Sequence, residues 1–475
     1  MITTEKLQLS KFVRILEREN DYAVYHSLFG GLCLIDIGIL ELLKAFLSPK
    51  SAYEVIAEYP KYSEEYIESF LSVFKPRHFL INPDYNEYDL LIQKAEYRKN
   101  NLHTGQQLGV IQLVVTNLCN FRCEYCFTNL IYSSKERFEL QEAADNKTMT
   151  PELAQSYIEE VINTLKKAGR NSLHIQFFGG EPLINWKVIK YVLENFAKGV
   201  NYGINITYSI VTNGSLITEE VAKYFKEYDV PVVVSFDSPK GNDRVMANGQ
   251  KSFDKIVNGL SLLKSYDNRV VFNSVFSEET FDYFDTDLID FALEYNVHEI
   301  GVLFDLDPNF YTNKTADEIV NKLWKMYIYG KEKGVVVTGY WHMIFQQLAA
   351  YELFKDRGFK TCSATGCQLS IEPSGNVFAC KGSSGYFGKV QNLSELLTSP
   401  NYEKYAMRAF RNAPDCEGCE IENFCSGFCL GPLEKKYNNI YVIEESTCKV
   451  YKELTKRLIM DVEKNEIDTF YTPVN

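Results

Sequence analysis

The chain has 475 residues, a formal net charge of −13, and 45% hydrophobic and 14% aromatic residues. That length allows two to four domains with ample cores, and the acidic balance argues against nucleic acid as a partner. With no run of eighteen apolar residues and no cationic segment leading into an apolar one, membrane insertion and export are not expected, and a cytoplasmic location is.

The first region, residues 1–95, begins with three β-rich runs: Phe12 to Leu16, Tyr22 to Tyr25 and Gly31 to Ile35. Three helical patterns follow. Leu40, Leu43 and Leu47 share one face, and the pattern stops at Ser48-Pro49. Ser51 reads as an N-cap for Ala52 to Glu58. Ser63 opens a third helix, with Glu64 and Glu65 in its first turn and Ile67, Phe70, Leu71 and Phe74 inward. Strands followed by three short helices resemble the winged-helix element that binds the leader of ribosomally made, modified peptides. That resemblance implies a leader taken as an added strand on a sheet edge beside a helix groove. Cys33, in mid-strand, reads as a small hydrophobe and not a ligand. From Asn82 to Gln107 the chain is mostly polar and reads as a linker, assigned to 96–107 after the domain boundary.

The other eleven cysteines cluster, three between 119 and 126 and eight between 362 and 448. In a cytoplasmic chain this pattern points to metal. The apolar run Val110 to Thr116 reads as a short buried strand. Directly after it stand Cys119, Cys123 and Cys126, spaced C-x3-C-x2-C, at the strand end where α/β barrels place their chemistry. Three thiolates on one loop can hold three corners of a cubane iron–sulfur cluster and leave the fourth iron open. Zinc would want a fourth Cys or His nearby, and the next His is His174. A disulfide would leave one thiol over. With Tyr125 just before the third cysteine, the motif resembles that of the radical S-adenosylmethionine (SAM) superfamily. The resemblance implies that SAM chelates the open iron through its amino and carboxylate groups, and that these three cysteines are catalytic.

After a polar stretch, Ser133 to Thr148, Thr150 and Pro151 mark a helix start as N-cap and N1. A strand over Leu173 to Phe178 then ends at Gly179-Gly180-Glu181-Pro182. This tetrapeptide resembles the GGE motif of the superfamily, which implies contact with the SAM amino group. Glycines admit backbone carbonyls to an ammonium, and Glu181 can pair with it. The rhythm repeats at Ile204 to Val211, Pro231 to Phe236, Val270 to Phe276 and Ile300 to Phe304. Six strands counted from Val110 make a partial (β/α)6 barrel over 108–340. Asn213, Ser235 and Asn273 lie at its mouth as candidate SAM or substrate contacts, and Asp305 and Asp307 follow the sixth strand. Ser235, Asp237, Arg244 and Asn248-Gly249 also match the family pattern, with Ser238 where glycine is common and a shorter connection.

The tail, 341–475, reads Cys362-x4-Cys367-x7-Gly375-x4-Cys380, then Cys416-x2-Cys419-x5-Cys425-x3-Cys429, then Cys448. This spacing resembles the SPASM extension of radical SAM peptide modifiers. The resemblance implies two auxiliary clusters, one on Cys362, Cys367, Cys380 and Cys429, the other on Cys416, Cys419, Cys425 and Cys448. If Cys362 or Cys367 is not a ligand, an auxiliary iron is open to a substrate thiolate. A zinc ribbon on Cys416, Cys419, Cys425 and Cys429 strands the other four.

Together the α/β barrel, the N-terminal α+β domain and the SPASM domain resemble maturases of the sactipeptide and ranthipeptide types. The resemblance implies three [4Fe-4S] clusters, SAM, a precursor peptide with a leader, and an electron donor of flavodoxin or ferredoxin type. It further implies thioether cross-links made through a 5′-deoxyadenosyl radical. Rival outcomes on the same scaffold are carbon–carbon cross-linking, epimerisation and formylglycine formation, the last disfavoured by the N-terminal domain. A non-catalytic iron–sulfur carrier is the reading from another class, and it has no need of a GGEP motif.

Overall fold

Strands β2 (Val13–Glu17), β3 (Tyr22–His26) and β4 (Gly30–Ile35) pair antiparallel in that order, while β1 (Lys6–Leu9) before them pairs with the two-residue strands β5 (Lys50–Ser51) and β6 (Leu80–Ile81). The structure is a computed structural model and describes residues 4–123, 125–126, 147–241, 244–278, 280–304, 313–350, 362–409, 414–427, 429–464 and 466–467. β3 is buried on both faces. Ala23 and Tyr25 join the main core of the molecule, while Val24 faces a second core under the helices. Those helices are α1 (Ile37–Ala45), α2 (Ala52–Glu58) and α3 (Glu64–Phe74). Each start is fixed by a side chain that accepts an otherwise orphaned N–H: Asp36 from Ile39, Ser51 from Glu54 and Ser63 from Tyr66.

The segment expected as a linker is instead largely a helix, α4 (Glu87–Asn101), capped by Asn86. Only Glu87 and Leu91 of this helix are buried, so no apolar stripe marks it in the sequence. It is held by polar contacts to the cysteine-rich tail. Arg98 donates to Ala406 O at 3.0 Å and to Thr365 O at 2.5 Å, and Lys99 pairs with Glu403 at 2.8 Å.

Among the described residues the main sheet has ten strands. β7 (Val110–Thr116), β8 (Ser172–Gly179), β9 (Asn205–Thr212), β10 (Val232–Ser235), β11 (Val270–Phe276) and β12 (Glu299–Phe304) run parallel, each beside the next. These are the six strands expected from the pattern. A seventh, β13 (Val336–Thr338), adds parallel to β12 and is too short for periodicity to reveal. At the other end β14 (Gln368–Ile371) lies parallel to β7, and β15 (Asn376–Phe378) and β16 (Tyr386–Lys389) extend it antiparallel. The tail therefore continues the barrel sheet from its first strand. Helices such as Pro151–Lys167 and Glu219–Glu227 cover the sheet with one buried face each. The C-terminal helix Glu445–Asp461 packs on helices Ala316–Lys333 and Tyr340–Ala349. Among the described residues no helix is long and apolar enough to cross a membrane. Because β7 to β12 are parallel, their exits share one end, and the candidate site residues of the barrel gather there.

Candidate active site

The loop after β7 is gripped from both sides. From β8, Gly180 N donates to Thr116 O at 3.0 Å and Glu181 N to Leu118 O at 2.8 Å. A Cβ on Gly179 would stand 2.4 Å from Thr116 O, and one on Gly180 2.4 Å from Leu118 O. Both positions must be glycine for β8 to close on the loop. From the far side, Arg122 N donates to Val245 O at 2.7 Å and Ala247 N to Asn120 O at 2.8 Å. Asn185, which the sequence reading passed over, ties the base of the loop: its Nδ2 reaches Val115 O at 2.8 Å and Met149 O at 2.9 Å.

On this loop Cys119 is exposed, and Cys123 and Cys126 are half-buried. Burial pushes the Cys123 thiol up to about 12, with the neighbouring Cys126 and Cys119 adding to the rise and Arg244 opposing it. Three soft donors close enough to feel each other's charge, on an open loop, suit a cluster with one exposed face.

Glu181 is 1% exposed. Its carboxylate accepts from Thr212 Oγ1 at 2.7 Å, Asn213 N at 2.7 Å and Leu183 N at 3.1 Å. Burial pushes it up to about 7, opposed by those hydrogen bonds. The carboxylate thus locks the ends of β8 and β9 together, while Pro182 opens the short turn Pro182–Asn185. Asn213 Nδ2 donates to Asn120 Oδ1 at 2.8 Å, between Cys119 and Cys123. Ser235 and Asn273 are register partners on β10 and β11, with Gly301 level with Asn273 on β12. Asp305 and Asp307 lie outside the described residues.

The strongest electrostatic feature of the mouth is Asp237, which is fully buried. Its carboxylate accepts from Arg244 Nε at 2.8 Å, Arg244 Nη2 at 3.0 Å, Val275 N at 2.9 Å and the Tyr125 hydroxyl. The Arg244 guanidinium lies 5.4 Å from the Tyr125 ring centre. Burial pushes the Tyr125 hydroxyl above the usual phenol range. The motif aromatic and the Asp–Arg pair are therefore one unit that braces the cysteine loop against β10 and β11. Ser238, in the place of the usual glycine, is buried and donates to Tyr283 O at 3.0 Å.

In the tail the structure brings Cys362, Cys380 and Cys429 together. Burial raises Cys380 strongly, and Cys429 and Cys362 raise it further. Cys448 is pushed up to about 11 by burial, with Cys416 and Cys419 next in effect. Cys425 Sγ accepts from Gly427 N at 3.2 Å. Arg98 Nη2 stands 3.8 Å from Cys367 Sγ. The loop joining Cys419 to Cys425 is also touched by the N-terminal region. Tyr88 donates to Glu422 Oε1 at 2.9 Å, and Asn423 Nδ2 donates to Leu28 O at 2.9 Å. Cys33 is half-buried and accepts from Arg77 Nη1 at 3.1 Å.

Among the described residues no group of three or more His, Cys, Asp or Glu side chains is set to hold a single metal ion. A cubane places its thiolates on separate irons and spreads them wider than one ion does. The donor set, thiols throughout, fits iron–sulfur chemistry.

Comparison with known proteins agrees with this chemistry. The radical SAM superfamily model matches residues 113–290, and SPASM, an iron–sulfur cluster-binding domain, matches residues 362–420. Over 466 residues the chain is 46% identical to the radical SAM cyclopropyl synthase TigE of Paramaledivibacter caminithermalis, covering 98% of each. Among solved structures, native anSMEcpe with bound AdoMet aligns with a TM-score of 0.60 at 20% identity, over 76% of this chain and 99% of that one. Streptococcus suis SuiB bound to precursor peptide SuiA aligns at 0.52 and 16% identity, over 93% and 99%. Both structural likenesses concern the fold. The chain belongs to the radical SAM superfamily and carries a SPASM domain. It is an enzyme, and its domains imply SAM and iron–sulfur clusters as cofactors.

Proposed function

We propose that this enzyme matures a ribosomally made precursor peptide and that the bond it makes is a carbon–carbon bond closing a cyclopropane on a side chain. The observation that carries this reading is the 46% identity to a cyclopropyl synthase along 98% of both chains. The peptide as substrate is supported by the fold shared with SuiB, a protein solved with its precursor peptide. It is supported again by a groove of about 480 Å³ between the edge strand β4 and helix α3, lined by Cys33, Leu34, Ile35, Tyr66, Ser69 and Val73. An extended leader could add to β4 there and lay its side chains on α3.

When bound, SAM and the clusters supply a 5′-deoxyadenosyl radical that removes one hydrogen atom, and an acceptor for the electron left when a second hydrogen departs as a proton. Cys119, Cys123 and Cys126 hold the SAM cluster in this scheme. Tyr125, with Asp237, braces the cysteine loop. Arg244 offers a buried guanidinium at the mouth for the SAM carboxylate, and Asn213, Ser235 and Asn273 line the remaining strand ends. Gly179, Gly180, Glu181 and Pro182 fix the facing wall. The eight tail cysteines hold the auxiliary clusters, and an electron donor of flavodoxin or ferredoxin type starts each turnover.

A thioether between a peptide cysteine and another residue's carbon is the second reading. It is favoured by the position of Cys367 beside Arg98, which would leave an auxiliary iron for a substrate thiolate. Mass spectrometry of the reacted precursor, with and without iodoacetamide, separates the readings. A cyclopropane removes two hydrogens, confines the change to one residue on fragmentation and leaves every thiol alkylatable. Loss of one alkylatable thiol per modification would overturn it in favour of the thioether. Unchanged mass would overturn both.

A further inference from the structure

Away from the Asp237 unit, Lys381 and Glu372 form an ion pair buried at both ends. Lys381 Nζ stands 3.0 Å from Glu372 Oε1, and the side chains are 1% and 2% exposed. Lys381 directly follows Cys380. Glu372 directly follows β14, the strand that joins the tail to β7. The same ammonium donates to Asn117 Oδ1 at 2.6 Å, two residues before Cys119. The backbone N–H of Lys381 donates to Gln112 Oε1 on β7 at 2.9 Å, and Gln112 in turn donates to Gln176 on β8 at 2.9 Å. One residue therefore touches the turn after Cys380, the end of β14 and the approach to the Cys119 loop.

A buried ion pair is a poor source of stability. Stripping water from both charges offsets most of their attraction, and apolar residues of similar size often do as well. What the pair does supply is direction and charge. Three hydrogen bonds from Lys381 fix how the Cys380 turn sits against the Cys119 loop, and a full positive charge is held one residue from Cys380. In a dry interior that charge acts strongly on its neighbours.

We propose that Lys381 is a positioning residue that pins the Cys380 turn to the Cys119 loop and, balanced by Glu372, sets how readily the auxiliary cluster at Cys380 takes up an electron. The proposal rests on Cys380 being a cluster ligand. A reduced cluster is more negative than an oxidised one, so a lone cation nearby favours reduction and a lone carboxylate opposes it.

The test is an EPR-monitored redox titration of the full-length, reconstituted enzyme, with iron content measured alongside. Glu372→Gln should raise the midpoint potential of the auxiliary cluster, and Lys381→Met should lower it. The double variant should return toward the wild-type value, and Lys381→Arg should stay near it. Shifts in the same direction, or none, with iron retained would overturn the proposal. So would loss of auxiliary iron in Lys381→Arg as well as Lys381→Met, since that marks a mere brace. Iron content unchanged by Cys380→Ala would overturn the ligand assignment itself, an outcome that the potentials of the other variants do not mimic.

Discussion

Cys119, Cys123 and Cys126 lie on one eight-residue loop, and what surrounds them is close in space and simple: two strand ends, a carboxylate and an arginine. The eight cysteines of the tail come from separate segments between 362 and 448, gathered by a sheet extension, a terminal helix and the N-terminal region. The first site is local, with Cys119 exposed; the second is assembled from distant segments, and all of its cysteines are half-buried. A loop that must admit SAM needs a rigid base and a free face, which parallel strand ends provide. Cysteines meant to store or pass electrons need shielding from water, which only long-range packing provides.

That contrast is sharpest in iron and SAM cleavage. Cys119, Cys123 and Cys126 all changed to Ala should abolish SAM cleavage and lower iron by about four from roughly twelve per chain. Cys416, Cys419 and Cys425 changed to Ala should also lower iron, yet leave reductive SAM cleavage in place. A reconstituted wild type holding only about four iron would break the comparison, because the tail would then be no cluster site.

Next in size is Asp237. Asp237→Ala leaves the Arg244 guanidinium buried without its carboxylate, a loss of about 3–5 kcal/mol. Urea unfolding should register it, together with a higher KM for SAM, and tail iron should be unaffected. Equal stability in wild type and variant would show that the unit does not brace the loop.

Glu181 gives a smaller effect with a definite sign. Its carboxyl sits at about 7 in the fold, above the ordinary 4.5, chiefly through burial. The folded chain binds that proton more tightly than the unfolded chain, so this group adds stability below pH 4.5. The contribution is lost as pH rises toward 7. Relative to Glu181→Gln, the cofactor-free wild type should lose at most about 3 kcal/mol across this window, read from thermal unfolding at several pH values. A constant difference between the two proteins would refute the burial account.

The smallest effect probes the enclosure of the tail. Tyr88→Phe and Asn423→Ala each remove one bond between the N-terminal region and the loop joining Cys419 to Cys425, about 1–2 kcal/mol apiece. Tail iron should then be lost faster to a chelator, while iron on the Cys119 loop is lost at the wild-type rate. Equal acceleration at both sites would mean that the two regions are not separately enclosed.

The sequence by itself determined whatever depends on consecutive residues. Six barrel strands were legible in their apolar runs, α1 in its leucine spacing, α2 and α3 in their Ser caps, and the cluster chemistry in cysteine spacing, because a cluster demands thiols at fixed intervals. β13 was missed because three residues carry no period, and α4 because nearly all of its surface is polar. Tertiary structure alone decided the rest. Tyr125 meets Asp237 and Arg244 only once β10 lies three strands from β7, and Lys381 meets Asn117 only once β14 has paired with β7. Even Gly179 and Gly180, legible as a motif, owe part of their necessity to carbonyls on another strand and its loop. Spacing along a chain records what a residue and its neighbours can do; which distant group stands opposite is set by strand register and burial, and those belong to the whole fold.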